Sequence, residues 1–436
     1  MSYMRRLLVI WRKDPPMVFE KENVLYAIYP FYQLCKFCAL CPLSVRNSNG
    51  KTHFDLSIKM FFYSLGLLFV YVVGFIAGAK MLHEQPVRAP TIISHFSGWA
   101  QIYSLFFIAA LDVVWSWATL PKLVELVERI QHIDKSITSK LATTTSYNRH
   151  LRILYLQVVG LSIVPFCLSM VNCIILNERN FKLNACFWFI CFAPILVITL
   201  KEFQFYNFML LLKSKFTILN KELDVSGRKR FVKLESATSI ESDKECLTRL
   251  ENSEERLRAK LKDIARISDE ITTATKAVLE LFSLHLFLVT STALGVITVQ
   301  IYNFYAFLID YLYLDIFSIF ATVTWICLQF AVVLLNVAVC SMVANEMANT
   351  GPLLHNIQSL SDNRSVFQTA QMFSLQILHR NISFTAAGFF NLDYKLITSI
   401  VAAVTTYLVI IIQFHLANQQ SLNLAAAGSR LNLTSN

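Results

Sequence analysis

Towards the C-terminal end of the chain, Thr406 and Tyr407 precede five aliphatic residues, Leu408 to Ile412, which are followed by Gln413 and Phe414. On a helix, positions seven apart lie on nearly the same face, so Thr406 stacks under Gln413 and Tyr407 under Phe414, with Ile410 between. Going back to Leu396, small and hydroxyl residues extend the stripe through Ser399, Ala402 and Ala403. An amide and a hydroxyl in an apolar segment are costly unless they meet water or another helix. Two uses are open: polar packing between helices, or one wall of a water-filled path built from several copies. One helix cannot enclose a pore, so the second use requires an oligomer. The stripe holds no acid or base, so such a path would select ions by neutral dipoles and width, and weak selectivity among cations is expected.

The rest of the chain must place that helix in a bilayer. Of its 436 residues, 55% are hydrophobic and 16% charged, with a mean hydropathy of +0.50, well away from a soluble average. The expected fold class is all-α, an integral membrane bundle of seven helices, each able to supply the roughly 20 apolar residues a crossing needs. The spans are read at Ser57–Met81, Ser94–Leu120, Leu151–Leu176, Phe181–Leu200, Ala277–Tyr302, Leu312–Met342 and Leu396–Phe414. The fourth continues as a helix to about Leu212. A separate, partly amphipathic helix at Val366–His379 precedes the seventh. No secretory signal precedes the first span, which is expected to act as its own signal anchor.

Basic residues set the expected orientation. About eight Lys or Arg precede span one, about five lie in the second loop and well over ten in the fourth; the fifth loop has none and the tail only Arg430. The positive-inside rule then puts the N-terminus and even loops in the cytosol and the C-terminus outside. A metabotropic seven-helix receptor would run the other way, and neither Asp-Arg-Tyr nor Asn-Pro-x-x-Tyr occurs. The net charge of +10 reads as topology and membrane-lipid contact, not as nucleic-acid binding.

This divides the chain into a cytosolic segment at 1–56, spans one to six at 57–345, a cytosolic anchor at 346–391, the pore-lining helix at 392–415 and an extracellular tail at 416–436. Asn49-Gly50 predicts a tight reversal before span one. In loop two, Leu123, Leu126, Val127, Ile130 and Ile133 keep helical spacing. Loop four, about 213–276, has a charge-mixed middle from Val225 to Glu245 that is expected to be flexible. After it comes a helical stripe of Leu247, Leu250, Leu257, Leu261, Ile264 and Ile267. That stripe suits extended helices packed into an anchor.

No enzyme motif, nucleotide-binding glycine loop or cofactor signature occurs. Cys35, Cys38 and Cys41 are spaced like metal ligands but lack a fourth ligand, so no metal is expected. Cys173 and Cys186 lie near the outer ends of spans three and four, where pairing is conceivable.

With span seven as the pore wall, stimulus binding falls to the outer halves of the other spans. A small polar ligand needs convergent hydrogen-bonding groups and an aromatic wall. Candidates are Trp99 and Gln101 on span two, Asn172 on span three, Trp188 on span four and Gln300 on span five. Span six and its approach add Asp315, Thr322, Thr324, Trp325 and Gln329. Each alone also fits packing or an interfacial aromatic belt, although Trp325 lies too deep for a belt.

Thr-Tyr, five aliphatics and Gln-Phe near the C-terminus resembles the signature of insect gustatory receptors. Gly388-Phe389-Phe390 to Asp393 and Val127-Glu128-Arg129 to Ile133-Asp134 are also similar to that family. The stretch before span one and Trp325-Ile326-Cys327 resemble its fructose-sensing branch, whereas Gln101 stands where that branch places an acid. The resemblance implies a ligand-gated, non-selective cation channel, a homotetramer or a hetero-oligomer with related receptors, in the plasma membrane of a chemosensory neuron. It implies a sugar ligand, fructose foremost, and a constriction at Gln413 and Phe414 shut by Phe414 and Ile410. An odorant-type receptor would share fold and orientation. His415 follows the motif, where a non-titrating polar residue is commoner in relatives.

Overall fold

The computed structural model describes residues 24–41, 43–48, 51–56, 58–83, 92–143, 147–160, 163, 192–237, 244–310, 316–359, 363–380 and 382–434. Among these the chain is nearly all helix. Six helices among the described residues are long and apolar enough to cross a membrane. In chain order the elements are α1 (Val24–Phe37), β1 (Leu43–Ser48), β2 (Lys51–Leu56), α2 (Ile58–His83), α3 (Ile92–Ala118) and α4 (Leu120–Leu141). A helical stretch at 148–160 follows. Then come α5 (Ala193–Ala237), α6 (Lys244–Asp310), α7 (Ile316–Ser359), α8 (Arg364–His379), β3 (Thr385–Ala386), β4 (Phe390–Asn391) and α9 (Tyr394–Thr434).

Spans one, two, five, six and seven fall on α2, α3, α6, α7 and α9. Most of span three and residues 181–191 of span four lie outside the described residues, as do Cys173 and Cys186.

Three boundaries differ from expectation, each because an element runs on. The charge-mixed middle of loop four is helical to Ala237, where Arg228 and Asp224 pair one turn apart at 3.1 Å. The end of loop four and span five form one 67-residue helix, α6, because the buried stripe Leu261, Ile264, Ile267 and Ile271 continues into the apolar span. Helix α9 runs through the segment read as a tail to Thr434, since Ala425, Ala426 and Ala427 carry strong helix propensity.

β1 and β2 pair antiparallel with Ser48 opposite Lys51, so the reversal predicted at Asn49-Gly50 falls between them; those two residues lie outside the described set. Pro121 sits in the first turn of α4, where its missing N–H costs nothing, and Ala142 ends the helix in the left-handed region at φ 50°.

The main core lies at one end of the bundle, termed here the anchor end. There α4 packs on α6, α5 packs on α6 and α7, and α8 closes over α6 and α7. Leu126, Ile130, Ile133 and Ile137 of α4 are almost completely buried. Inside this core Lys215 of α5 is fully buried and pairs with Asp134 of α4, which also accepts from the Tyr147 hydroxyl. The ammonium lies over the Tyr147 ring at 4.8 Å. Asn363 caps α8 by accepting from the Ser365 amide at 2.9 Å, and its own amide donates to Glu254 of α6. Cys35, Cys38 and Cys41 are buried under α1; burial pushes the Cys38 thiol up to about 11 and raises Cys35 well above its usual value. Cys35 and Cys38 therefore stay protonated, which suits apolar packing.

Candidate functional site

Helix α9 leans on α6 and α7 through one face only. Ile400 and Val404 pack with Ala293 and Ile297 of α6 and Val333 of α7. Beyond them His415 is buried, its Nδ1 3.2 Å from the Tyr302 hydroxyl of α6. Helical geometry then turns Ser399, Ala402, Thr406, Ile410 and Gln413 roughly to the opposite side. All five are exposed, and Tyr407 and Phe414 flank them at 54% and 69% exposure.

The hydroxyls on this stripe are satisfied within the helix. Thr406 donates to the Ala402 carbonyl at 2.9 Å and Ser399 to Lys395 at 3.0 Å, the i−4 back-bonding typical of Ser and Thr in apolar helices. They tolerate lipid as well as water. Gln413 differs, because its amide has two donors and an acceptor that a helix backbone cannot satisfy. Facing hydrocarbon it would cost several kcal/mol. Its exposure therefore favours water or a second chain on that side of α9.

Of the ligand candidates, the structure joins Gln101 and Gln300: the Gln300 Nε2 donates to the Gln101 Oε1 at 3.1 Å, tying α6 to α3. Trp99, beside them on α3, sits in an aromatic run with His83 at 5.7 Å and Tyr103 at 5.9 Å. The run continues to Phe75 and Phe106, stacked at 3.9 Å. Trp325 of α7 is half-buried, and its indole N–H is shut from solvent with no hydrogen-bond partner among the described residues. The Asn303 Oδ1 of α6 is orphaned in the same way. Unpaired buried groups of this kind cost about 1–3 kcal/mol each unless a guest satisfies them. Thr322, Thr324 and Gln329 are half-buried on α7. Asn172, Trp188 and Asp315 lie outside the described residues.

Two constellations were not singled out from the sequence. Where α3, α5 and α6 cross, His285 is held by Asp112, with Nδ1 2.8 Å from Oδ2, and Nε2 lies 3.3 Å from Glu202. Beside it Lys201 donates to Ser116 at 2.8 Å and sits 4.8 Å over the Phe282 ring. The signal was available, since an acid in span two and a histidine in span five each stand inside apolar runs. Their mutual contact was not, because 173 residues separate them. The second is the Tyr302–His415 contact, which ties α6 to the residue after the Gln-Phe pair.

Residues 28–418 match the family model described as 7tm chemosensory receptor. Among Drosophila melanogaster proteins, the chain is 29% identical to "Gustatory receptor for bitter taste 66a" over 171 residues, 37% of this chain and 32% of that one. It is 60% identical to "Putative gustatory receptor 2a" over 45 residues, 10% of each. With "Gustatory receptor for sugar taste 43a" it shares 31% over 94 residues, 22% of each. These alignments span a third or less of the relatives' lengths. The fold is similar to that of the insect olfactory receptor OR5 from Machilis hrabei, with a TM-score of 0.61 at 14% identity, over 89% of this chain and 97% of that one. The same receptor solved in complex with eugenol gives a TM-score of 0.55.

Proposed function

Because this multi-pass membrane protein belongs to the 7tm chemosensory receptor family, we propose that it is a gustatory receptor working as a ligand-gated, weakly selective cation channel. Its N-terminus and anchor end face the cytosol, and α9 lines the pore of a homotetramer, or of a hetero-oligomer with related receptors, in the plasma membrane of chemosensory neurons. The observation that carries this reading is the exposed Gln413 on an apolar helix whose other face is packed. When shut, Phe414 and Ile410 exclude water; when open, α9 rotates or shifts to present Gln413. The Tyr302–His415 contact is the direct mechanical link from α6 to that segment.

For the stimulus we propose a sugar, fructose foremost. The Gln101–Gln300 pair and the orphaned Trp325 N–H supply hydroxyl partners, and the Trp99 run supplies a stacking face. Helix rearrangement has to bring Trp325 towards the amide pair for one molecule to touch all three. A second reading, an apolar bitter or odorant-type stimulus, is favoured by the aromatic richness of the wall around Phe75, Trp99 and Phe106. Similarity to a bitter-taste receptor over a longer stretch than to the sugar-taste one also favours it.

Current in outside-out patches from cells expressing this chain alone tests both readings. Prompt cation current to D-fructose, altered in permeation by Gln413→Ala, supports the sugar-gated channel. Current to bitter alkaloids and none to sugars moves the stimulus to the second reading. Silence despite surface expression, with responses in intact cells, overturns the self-sufficient channel. Glycosylation at Asn432 checks the orientation. Asn363 should stay bare, and the reverse pattern overturns the orientation.

A further inference from the structure

Where α3, α5 and α6 cross, close to the point at which α3 hands over to α4, four ionisable side chains are buried together. Asp112, Lys201, Glu202 and His285 are none of them more than 6% exposed. Charges inside a membrane bundle are costly unless they pair. The pairing here is incomplete at one place. His285 Nδ1 lies 2.8 Å from Asp112 Oδ2 and 2.9 Å from Oδ1, so its N–H donates there. Lys201 donates to Ser116 at 2.8 Å and has Asp112 close by as counter-charge. On the far side of the ring Glu202 Oε1 stands 3.3 Å from Nε2, yet neither atom makes an aligned hydrogen bond with any described residue. Among the described residues, the other titratable groups around the site are thiols: Cys340 of α7 beside Glu202, and Cys35 and Cys41 beside Lys201.

With the thiols protonated, Asp112 and Lys201 cancel. Once Nδ1–H is given to Asp112, a neutral His285 turns the Nε2 lone pair towards a carboxylate oxygen, and one negative charge is left over in the buried site. A single proton between Nε2 and Oε1, carried by either atom, removes both faults: it supplies the missing donor and balances the charge. We infer that the His285–Glu202 pair binds one proton exchangeable with the anchor side, and that this proton locks α5 to α6 where the bundle meets the anchor. Losing it sets a lone pair against a carboxylate and pushes the two helices apart. α3 and α6 meet again at Gln101–Gln300, so the site is the inner pivot of a helix pair that carries two ligand candidates. A loosened pivot eases the helix rearrangement that the stimulus has to drive. That consequence for gating rests on the proposed channel; the proton site does not.

The test compares purified full-length wild type with Glu202→Gln, whose amide can donate to Nε2 without a bound proton, and with Asp112→Asn, which leaves no surplus negative charge. The wild-type melting temperature should fall by a few degrees between about pH 7 and about pH 9.5, because the folded chain holds a proton that the unfolded chain has released. Either variant should flatten that profile. A merely structural polar contact would change the melting temperature but not its slope with pH. Equal slopes in all three proteins, or a flat wild-type profile, overturn the inference. Glu202→Gln is nearly isosteric; should it fail to fold, Asp112→Asn decides. In inside-out patches with an effective stimulus in the pipette, the bath is raised from about pH 7 to about pH 8.5. The half-activating concentration should fall about threefold or more in wild type and not in Glu202→Gln; one proton of linkage allows at most about tenfold per pH unit. Stimulus-evoked current that ignores bath pH in wild type overturns the gating role. If no stimulus evokes current, the channel reading has failed, and the melting profiles still judge the proton site.

Discussion

At the anchor end, α4 buries a full apolar stripe and a charged pair against α5 and α6, whereas α9 keeps most of its surface outside the chain's own packing. Half of the most apolar stretch of α6 is buried, but only 11% of that in α9. Both helices are amphipathic in the sense that matters, yet the partner each stripe awaits differs. Leu126, Ile130 and Ile133 find theirs within the chain. Ser399, Thr406 and Gln413 pack on none of the described residues, and a stripe of small and polar residues left without packing in a membrane helix is suited to neighbouring copies or water. The anchor is thus a unit one chain completes by itself, and α9 an element that assembly has to complete.

Breaking the anchor should have the largest effect. Asp134→Ala leaves the Lys215 ammonium uncompensated in the core, and a loss of about 3–5 kcal/mol is expected, seen as lost surface expression and a lowered melting temperature. The double substitution Asp134→Leu with Lys215→Met should recover much of it. If the single variant melts like wild type, the anchor is not the stabilising unit.

A smaller effect follows from His150. Burial, with Lys215 and Arg149 nearby, lowers it from the usual 6.5 to about 4. The unfolded chain takes up this proton as pH falls below about 6.5, while the folded chain resists until about 4. Stability is therefore fully present at neutral pH and declines through that window, by up to about 3 kcal/mol. His150→Gln should flatten this part of the pH–stability curve of the purified protein; an unchanged slope would refute the assignment.

Next in size is Tyr302→Phe, which removes a contact worth about 1 kcal/mol. It should shift the half-activating agonist concentration by up to about tenfold with little change in expression. A change in melting temperature with no shift in gating would make the contact merely structural. The smallest stability effect, within about 0.5 kcal/mol, is expected for Gln413→Ala, since an exposed residue leaves no cavity. Its conductance or cation preference should nevertheless change. A Gln413→Ala protein that unfolds, or one that conducts like wild type, would erase the contrast between the anchor and α9.

Much of this was legible from residue spacing. The α4 stripe, the start of α8 near Val366, the five spans found on α2, α3, α6, α7 and α9, and the unpartnered face of α9 all follow from helical periodicity. Helix ends were read less well. Lys244 to Asp310 and Tyr394 to Thr434 contain polar stretches that look like breaks, but no Pro interrupts either, and helix propagation across polar residues costs little once the helix is nucleated. Ligand candidates on separate spans could be named one by one; that Gln101 and Gln300 meet through a hydrogen bond is a tertiary fact.

By itself, the sequence determined that the chain is a membrane bundle, which flanks carry positive charge, and that one face of the last helix is small and polar, because hydropathy and helical period are local properties. Only the tertiary structure decided that Asp112, Glu202 and His285 share one buried site, that Tyr302 holds His415, and that the Gln204 Oε1 is buried without a partner among the described residues. Those contacts join residues tens to hundreds of positions apart, and no local pattern encodes which faces of α3, α5, α6 and α9 come to meet.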